Sequence, residues 1–71
     1  MSSIIVNGRM IVGHYSKVSG SRVREMFDNT GRFLGYIERL EEGGYRCVRV
    51  DGKQRHKKTL EEAYRSIGRR N

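Results

Sequence analysis

The sequence of 71 residues has no proline and no tryptophan, and it has a single cysteine, Cys47. One thiol cannot form an internal disulfide, so nothing in the chain requires an oxidising compartment, and we expect a cytoplasmic protein. No apolar run approaches the ~18 residues that a membrane span needs, and the N-terminus lacks the basic segment of a signal peptide. The short length predicts one domain, residues 1–71, with a thin core and little room for a deep active site.

Motifs that carry catalysis or bind metals are also scarce. His14 and His56 are 42 positions apart, and Cys47 is the only cysteine between them. The sequence lacks the closely spaced Cys and His pairs that are typical of zinc sites. It therefore predicts a protein that is not an enzyme and that holds no cofactor or metal, with Cys47 as a small buried hydrophobe of a strand.

Positive charge is abundant, and it is concentrated in the C-terminal part of the chain. The formal net charge is +7. Residues 43–71 carry nine Lys and Arg against three Asp and Glu, whereas residues 1–42 carry six against five. A solubilising surface is the plainer interpretation, but it leaves the asymmetry unexplained. The asymmetry favours a polyanionic partner, and nucleic acid is the commonest one.

Turn-forming residues divide residues 1–58 into short strands. Asn7-Gly8 lies between two apolar runs and predicts a β-hairpin, which a loop over 13–21 ending in Ser19-Gly20-Ser21 follows. The segment 22–58 is predicted to hold antiparallel strands, joined by turns rich in Asp, Asn and Gly. The strands are expected at 23–27, 32–38, 45–50 and, as a short edge strand, 53–57.

A C-terminal helix is predicted over residues 59–69. Thr59 suits the N-cap, Glu62 completes a capping box, and Gly68 is a plausible stop, with Arg69 and Arg70 at the end that favours bases. One apolar face is formed by Leu60, Ala63, Tyr64 and Ile67. The predicted fold is therefore α+β, a small antiparallel β-sheet meander with an N-terminal hairpin and one C-terminal helix packed on the sheet.

The alternation of side chains predicts which residues meet the helix. Phe33, Gly35 and Ile37 are expected on the helix side of their strand, with a close helix crossing at Gly35. Leu34, Tyr36 and Glu38 are then expected on the other side. For residues 45–50 both orientations are open, with either Tyr45 and Cys47 or Val48 and Val50 facing the helix.

The basic segment around residues 53–58 is the candidate binding site. In an extended chain Lys53, Arg55 and Lys57 share one face. Side chains of Gln54, Arg55 and His56 suit base edges, whereas Lys57 and Lys58 suit phosphates. A charged edge strand that discourages aggregation is the competing interpretation. Tyr36 or Tyr45 is expected beside the patch, and the predicted nucleic-acid contacts are Arg46, Arg49, Lys53, Gln54, Arg55, His56, Lys57 and Lys58.

Residues 22–69 resemble the DNA-binding domains that consist of a three-stranded sheet and a helix. The residues that carry the resemblance are 44–49, 51–53 and 59–63. The families are the arm-type domains of phage integrases and the ethylene-response domain of plant transcription factors. The resemblance implies that the sheet enters the major groove, that residues of 45–50 and 53–57 contact DNA, and that the helix packs behind the sheet. It also suggests a phage or mobile-element accessory or regulatory protein.

The sequence thus predicts a small non-enzymatic protein that binds double-stranded DNA. The alternative is a protein-interaction module, such as a phage-encoded inhibitor of a host factor, whose basic patch meets an acidic protein surface. RNA binding is the third possibility, because the same positive charge would serve it. No membrane partner is expected.

Overall fold

A computed structural model describes residues 2–17 and 20–69 of the chain as one antiparallel sheet and one helix. Each strand pairs with the next in chain order, so the sheet is a meander with the first and last strands at its edges. The predicted α+β class and the C-terminal helix are confirmed, but the N-terminal hairpin belongs to the same sheet. The elements are β1 (Ser2–Val6), β2 (Arg9–Ser16), β3 (Gly20–Asp28), β4 (Phe33–Arg39), β5 (Tyr45–Arg49), β6 (Gln54–Lys57) and α1 (Leu60–Gly68).

The hairpin between β1 and β2 forms where the sequence predicts it. Asn7 and Gly8 have φ angles of 52° and 78°, and Val6 pairs with Arg9 across the turn. Positive φ at both central residues is the requirement of a type I′ turn, which Asn and Gly meet at least cost.

The predicted loop over residues 13–21 is wrong, because most of it is strand. β2 continues to Ser16 and β3 begins at Gly20, whereas Ser19 lies outside the described residues. Gly13 pairs with Met26 inside the sheet, and a Cβ atom at this position would overlap the Tyr64 hydroxyl. Gly13 therefore allows the strand to pass close to the helix and does not end the strand.

The predicted orientation of Phe33 and Leu34 is also wrong. The pairing of β3 with β4 shifts between Met26 and Phe27, so that Phe27 pairs with Phe33. Such a bulge reverses the alternation of side chains, and Leu34 is 8% exposed in the core while Phe33 is 43% exposed. A Cβ at Gly35 would overlap the Val48 carbonyl, so this glycine serves strand pairing and not a helix crossing.

Helix α1 begins and packs as its sequence predicts. The backbone N–H of Glu62 donates to the Thr59 hydroxyl at 3.2 Å, which is the N-cap bond. Ala63, Tyr64 and Ile67 are buried, and Leu60 is partly buried against them. The helix ends at Gly68, and the predicted basic residue Arg70 lies outside the described residues.

The sheet curls around α1, which contacts β1, β2, β4, β5 and β6. We call the side that faces α1 the inner face and the opposite side the outer face. Cys47 is 1% exposed and its Sγ lies 3.8 Å from the Ala63 carbonyl oxygen, so Tyr45 and Cys47 are on the inner face.

Nowhere in residues 2–17 and 20–69 is there a helix long and apolar enough to cross a membrane. The buried apolar residues are Val6, Ile11, Met26, Leu34, Ile37, Cys47, Ala63, Tyr64 and Ile67.

Candidate nucleic-acid interface

Edge strand β6 carries cations at every second position on its inner face. Arg55 pairs with Cys47, whose side chain is buried beneath α1. The backbone N–H of Arg49 donates to the Lys53 carbonyl at 2.9 Å, which extends the same pairing beyond the end of β6. Alternate side chains of a strand point to the same side. The shared face of Lys53, Arg55 and Lys57 that the sequence predicts is therefore present in the fold.

A pocket of about 110 Å³ lies between β6 and the C-terminal half of α1. We call it the basic groove. Among the described residues, its lining consists of five cationic side chains and one serine. None of these lining residues is acidic. Cations this close repel one another, and an anion placed among them relieves the repulsion. The lining residues are Arg49, Lys53, Arg55, Lys57, Ser66 and Arg69.

Arg49 also holds the C-terminal end of α1. Its Nη1 donates to the carbonyl oxygens of Ser66 at 3.2 Å and Arg69 at 2.8 Å. The last carbonyls of a helix have no partner within the helix, and the negative end of the helix dipole attracts a cation. Arg49, which the sequence assigns to nucleic acid, therefore joins the wall of the groove to the helix end.

Arg9 reaches the same helix end from β2. Its Nη2 donates to the Gly68 carbonyl at 2.8 Å, and its Nη1 lies 3.7 Å from the Asp28 carboxylate. Its Nε is buried without a hydrogen-bond partner among the described residues. Arg9 is not among the residues predicted from the sequence, because no local signal relates it to a carbonyl that lies 59 positions later in the chain.

The Asp28 carboxylate organises the turn between β3 and β4. Its Oδ1 accepts hydrogen bonds from the Thr30 hydroxyl and from the backbone N–H groups of Thr30 and Arg32. The hydrogen bond that the Thr30 hydroxyl donates is the largest of the effects on the pKa of Asp28, and it lowers the pKa below its ordinary value of 3.8. The two amides and Arg9 lower it further, while burial opposes them. Asp28 thus remains ionised next to Arg9 at neutral pH.

An open depression of about 770 Å³ adjoins the basic groove at this end of the sheet. Arg49 and Arg69 line both cavities, and the depression adds Arg9 and Arg32. Asp28, the acid in its lining, is the ion-pair partner of Arg9. The groove and the depression together form a cationic band made of Arg9, Arg32, Arg49, Lys53, Arg55, Lys57 and Arg69.

The remaining predicted contacts do not join this band. Gln54 and His56 alternate with Arg55 and lie on the outer face, where Arg46 pairs with His56. Arg46 also forms a salt bridge with Glu38 at 3.1 Å. Lys58 is exposed in the turn before α1. The eight predicted residues therefore fall into two groups that share Arg55. Arg49, Lys53, Arg55 and Lys57 line the basic groove, whereas a second pocket of about 290 Å³ is lined by Arg46, Gln54, Arg55 and His56 together with Leu40 and Glu42. Lys58 lines neither cavity.

Further arginines lie at the opposite end of the inner face. Arg22, Arg24 and Arg39 line a small pocket there together with Tyr15 and Tyr45. The guanidinium of Arg24 lies 4.5 Å from the centroid of the Tyr15 ring and donates to its hydroxyl at 3.0 Å. This cluster is not predicted from the sequence, because positive and negative charges are nearly equal in number over residues 1–42.

The chemistry of the remaining reactive side chains is limited. Within the described residues, His, Cys, Asp and Glu do not come together in groups of three that would hold a metal ion. Burial raises the pKa of the Cys47 thiol to about 11, so the thiol is protonated at neutral pH.

Comparison with known proteins does not identify a binding partner, which is inferred here from the residues of the chain. No protein-family model, curated protein or solved structure matches it.

Proposed function

We propose that this protein is a non-catalytic DNA-binding protein, accessory or regulatory in role, whose basic groove holds the sugar–phosphate backbone of duplex DNA. The observation that supports the proposal is the convergence of five cationic side chains on the groove. Phosphate contacts of Lys and Arg supply much of the affinity of DNA-binding proteins, and the net charge of +7 draws a polyanion to the surface.

The spacing of the cations suits one DNA strand. Residues two apart on a strand are separated by about 6.8 Å, which is comparable to the distance between successive phosphates of a polynucleotide. Lys53, Arg55 and Lys57 therefore match a row of phosphates. The groove is too narrow for a whole duplex, so one backbone would lie along it and continue into the depression beside Arg32 and Arg69.

The proposal places DNA on a different face of the sheet from the one that the family resemblance implies. In the resembled domains DNA meets the face away from the helix, whereas the cations of this chain lie on the inner face, at its edge. Gln54 and Arg55 also lie on opposite sides of β6. We therefore assign Arg55 to a phosphate, and we infer that backbone contacts dominate over base recognition.

The test is the combined substitution of Lys53, Arg55 and Lys57 by alanine. We expect weaker binding to duplex DNA and an unchanged fold, because Lys53 and Arg55 are exposed, Lys57 is half-buried, and charges near the surface contribute little to stability. Loss of about three phosphate contacts should flatten the slope of log affinity against log salt by about 2.7. Fluorescence anisotropy of a labelled duplex at several salt concentrations measures both quantities.

The matched control replaces Lys17, Arg22 and Arg39 by alanine, which removes the same charge away from the groove. This control should retain most of the wild-type salt slope. Equal slopes for the groove variant and the wild type would exclude the groove as the site. Tighter binding to RNA or to single-stranded DNA than to duplex DNA would identify that nucleic acid as the ligand instead. Absence of binding to all three would favour the acidic protein partner.

A further inference from the structure

The depression beside the basic groove has an apolar wall. The described lining of the groove consists of cations and a serine, whereas the depression is also lined by four apolar side chains, Phe33, Leu34, Val50 and Ile67. Phe33 is 43% exposed and Val50 is 62% exposed, so a ligand can reach both. A phosphate gains nothing there, because burial against apolar side chains removes water from its charge. The wall therefore indicates a ligand that has an apolar part as well as a charge.

Neighbouring residues hold the aromatic part of this wall in place. The ring centroids of Phe27 and Phe33 are 5.5 Å apart, and the ring planes are inclined by 59°. The backbone N–H of Val50 donates to the Leu34 carbonyl oxygen at 3.3 Å, which fixes Val50 beside residues 33 and 34 at the end of the sheet. Phe33 therefore offers a ring whose position is restrained before any ligand binds.

Positive charge lies directly beside the ring. Arg32 precedes Phe33 in the chain, and both residues line the depression. The Cα atoms of consecutive residues are about 3.8 Å apart, so this cation and this ring can contact the phosphate and the base of the same nucleotide. The whole lining has four arginines and one aspartate, which gives it a net charge of +3.

Two asparagines add hydrogen-bonding groups to the lining. Asn7 and Asn29 are exposed, and they belong to the turns that follow β1 and β3. An asparagine side chain both donates and accepts hydrogen bonds, so it can pair with polar atoms on the edge of a base. The depression thus combines an aromatic ring, cations and amide groups, which are the three kinds of contact that an unpaired nucleotide makes with proteins.

We propose that the depression holds one unpaired nucleotide of the DNA whose backbone lies in the basic groove, with the base stacked on Phe33 and the phosphate beside Arg32. This inference rests on the proposed DNA binding. Arg49 and Arg69 line both cavities, so a strand that leaves the groove enters the depression directly. The volume of about 770 Å³ lies in the range of about 300–1,000 Å³ that small-ligand sites have. Because every base has a π-face, such a site selects unpaired bases without reading sequence.

Fluorescence anisotropy with three labelled ligands tests the proposal. The first is a fully paired duplex, the second carries one additional unpaired thymidine, and the third has an abasic unit in place of that thymidine. We expect the unpaired thymidine to bind about 10-fold more tightly than the abasic unit, which is the effect of one stacked base. The abasic ligand keeps the additional phosphate and the flexibility, so the comparison isolates the base.

Substitutions of Phe33 relate the preference to its ring. Phe33→Leu keeps an apolar side chain against Phe27 but removes the aromatic ring, so it should abolish the preference and leave binding of the paired duplex unchanged. Phe33→Tyr should retain the preference. The matched control is Tyr36→Leu, which removes another exposed aromatic residue of β4, 40% exposed and outside the described lining of the depression. Circular dichroism and thermal melting verify that the variants fold.

Equal affinities of the wild type for the thymidine and abasic ligands would overturn this inference and leave the duplex binding intact. So would a preference that persists in Phe33→Leu or that Tyr36→Leu abolishes equally. Competition by micromolar thymidine monophosphate would assign the depression to a free nucleotide instead. The variant without Lys53, Arg55 and Lys57 should bind all three ligands more weakly and keep their ratio. A wild-type chain that binds none of the three would contradict the DNA binding itself, and this inference with it.

Discussion

At the scale of single residues, the Asp28 carboxylate makes the fold sensitive to acid. The pKa of Asp28 is lower in the folded protein than its ordinary value of 3.8. The unfolded chain therefore binds this proton more tightly than the folded one. Ionised Asp28 contributes stability above its unfolded-state pKa, and this contribution is lost as the pH falls through the folded-state pKa.

We therefore expect Asp28→Asn to change the acid limb of the stability curve. The free energy of unfolding of the wild type should fall more steeply than that of the variant as the pH falls below about 5. Urea denaturation over a pH series measures both curves. Glu42→Gln, which alters an exposed carboxylate, should retain the wild-type steepness. Parallel curves for wild type and Asp28→Asn would contradict the role of this carboxylate.

Gly13 provides a second prediction for a single residue. Gly13→Ala places a methyl group against the Tyr64 hydroxyl, so it should lower the free energy of unfolding by about 1–3 kcal/mol. In the Tyr64→Phe background the overlapping oxygen is absent, and the cost of Gly13→Ala should be smaller. A double-mutant cycle isolates this coupling from the separate cost of Tyr64→Phe. Strictly additive effects would show that the two residues do not restrict each other.

At the scale of elements, α1 supplies one wall of the core. Ile67 is buried, so Ile67→Ala should lower the free energy of unfolding by about 2–5 kcal/mol. Leu60 is only partly buried, and Leu60→Ala should cost less. Chemical denaturation of both variants measures the difference. An unfolding free energy that Ile67→Ala leaves unchanged would mean that the helix is not docked on the sheet.

The elements predicted correctly from the sequence are those with local signals. Asn7-Gly8 specifies its turn by backbone conformation, and Thr59 with Glu62 specifies the start of α1. The strand at Gly13 was missed, because a glycine that ends a strand and one that allows a close approach are the same residue type. The bulge beside Phe33 depends on the pairing partner, which is set by the sheet and not by local sequence.

In the candidate site too, the features that could be predicted are those that depend on neighbouring residues in the sequence. Alternation along β6 is a local property, so the common face of Lys53, Arg55 and Lys57 was predictable. The hydrogen bonds of Arg9 and Arg49 to the end of α1 join residues that are distant in sequence. No spacing in the chain encodes them, which is why Arg49 was predicted only as a ligand contact and Arg9 was not predicted at all.

At the scale of the whole molecule, curling of the sheet separates charge that is mixed along the chain. Residues 1–42 hold nearly equal numbers of bases and acids. In the fold, Arg22, Arg24 and Arg39 line an inner pocket, whereas Glu25 and Glu38 lie on the outer face. Strand alternation thus places these cations at the exposed ends of the inner face, on either side of the buried core, and leaves the outer face nearly neutral. The net charge of residues 1–42 does not show that their basic and acidic side chains lie on different faces of the sheet.

The hydrogen bond between Arg9 and Gly68 has a consequence for biosynthesis. It joins the second strand to the last turn of the helix, 59 positions later, so the native core requires contacts that are distant in the chain. Contacts between such distant residues are expected to form late in folding, because chain entropy is lost before the contacts compensate for it. During translation the six strands leave the ribosome before α1, and Ile11, Met26 and Ile37 have no helix to cover them. The nascent chain is therefore most exposed to chaperones and to aggregation just before residues 60–68 emerge.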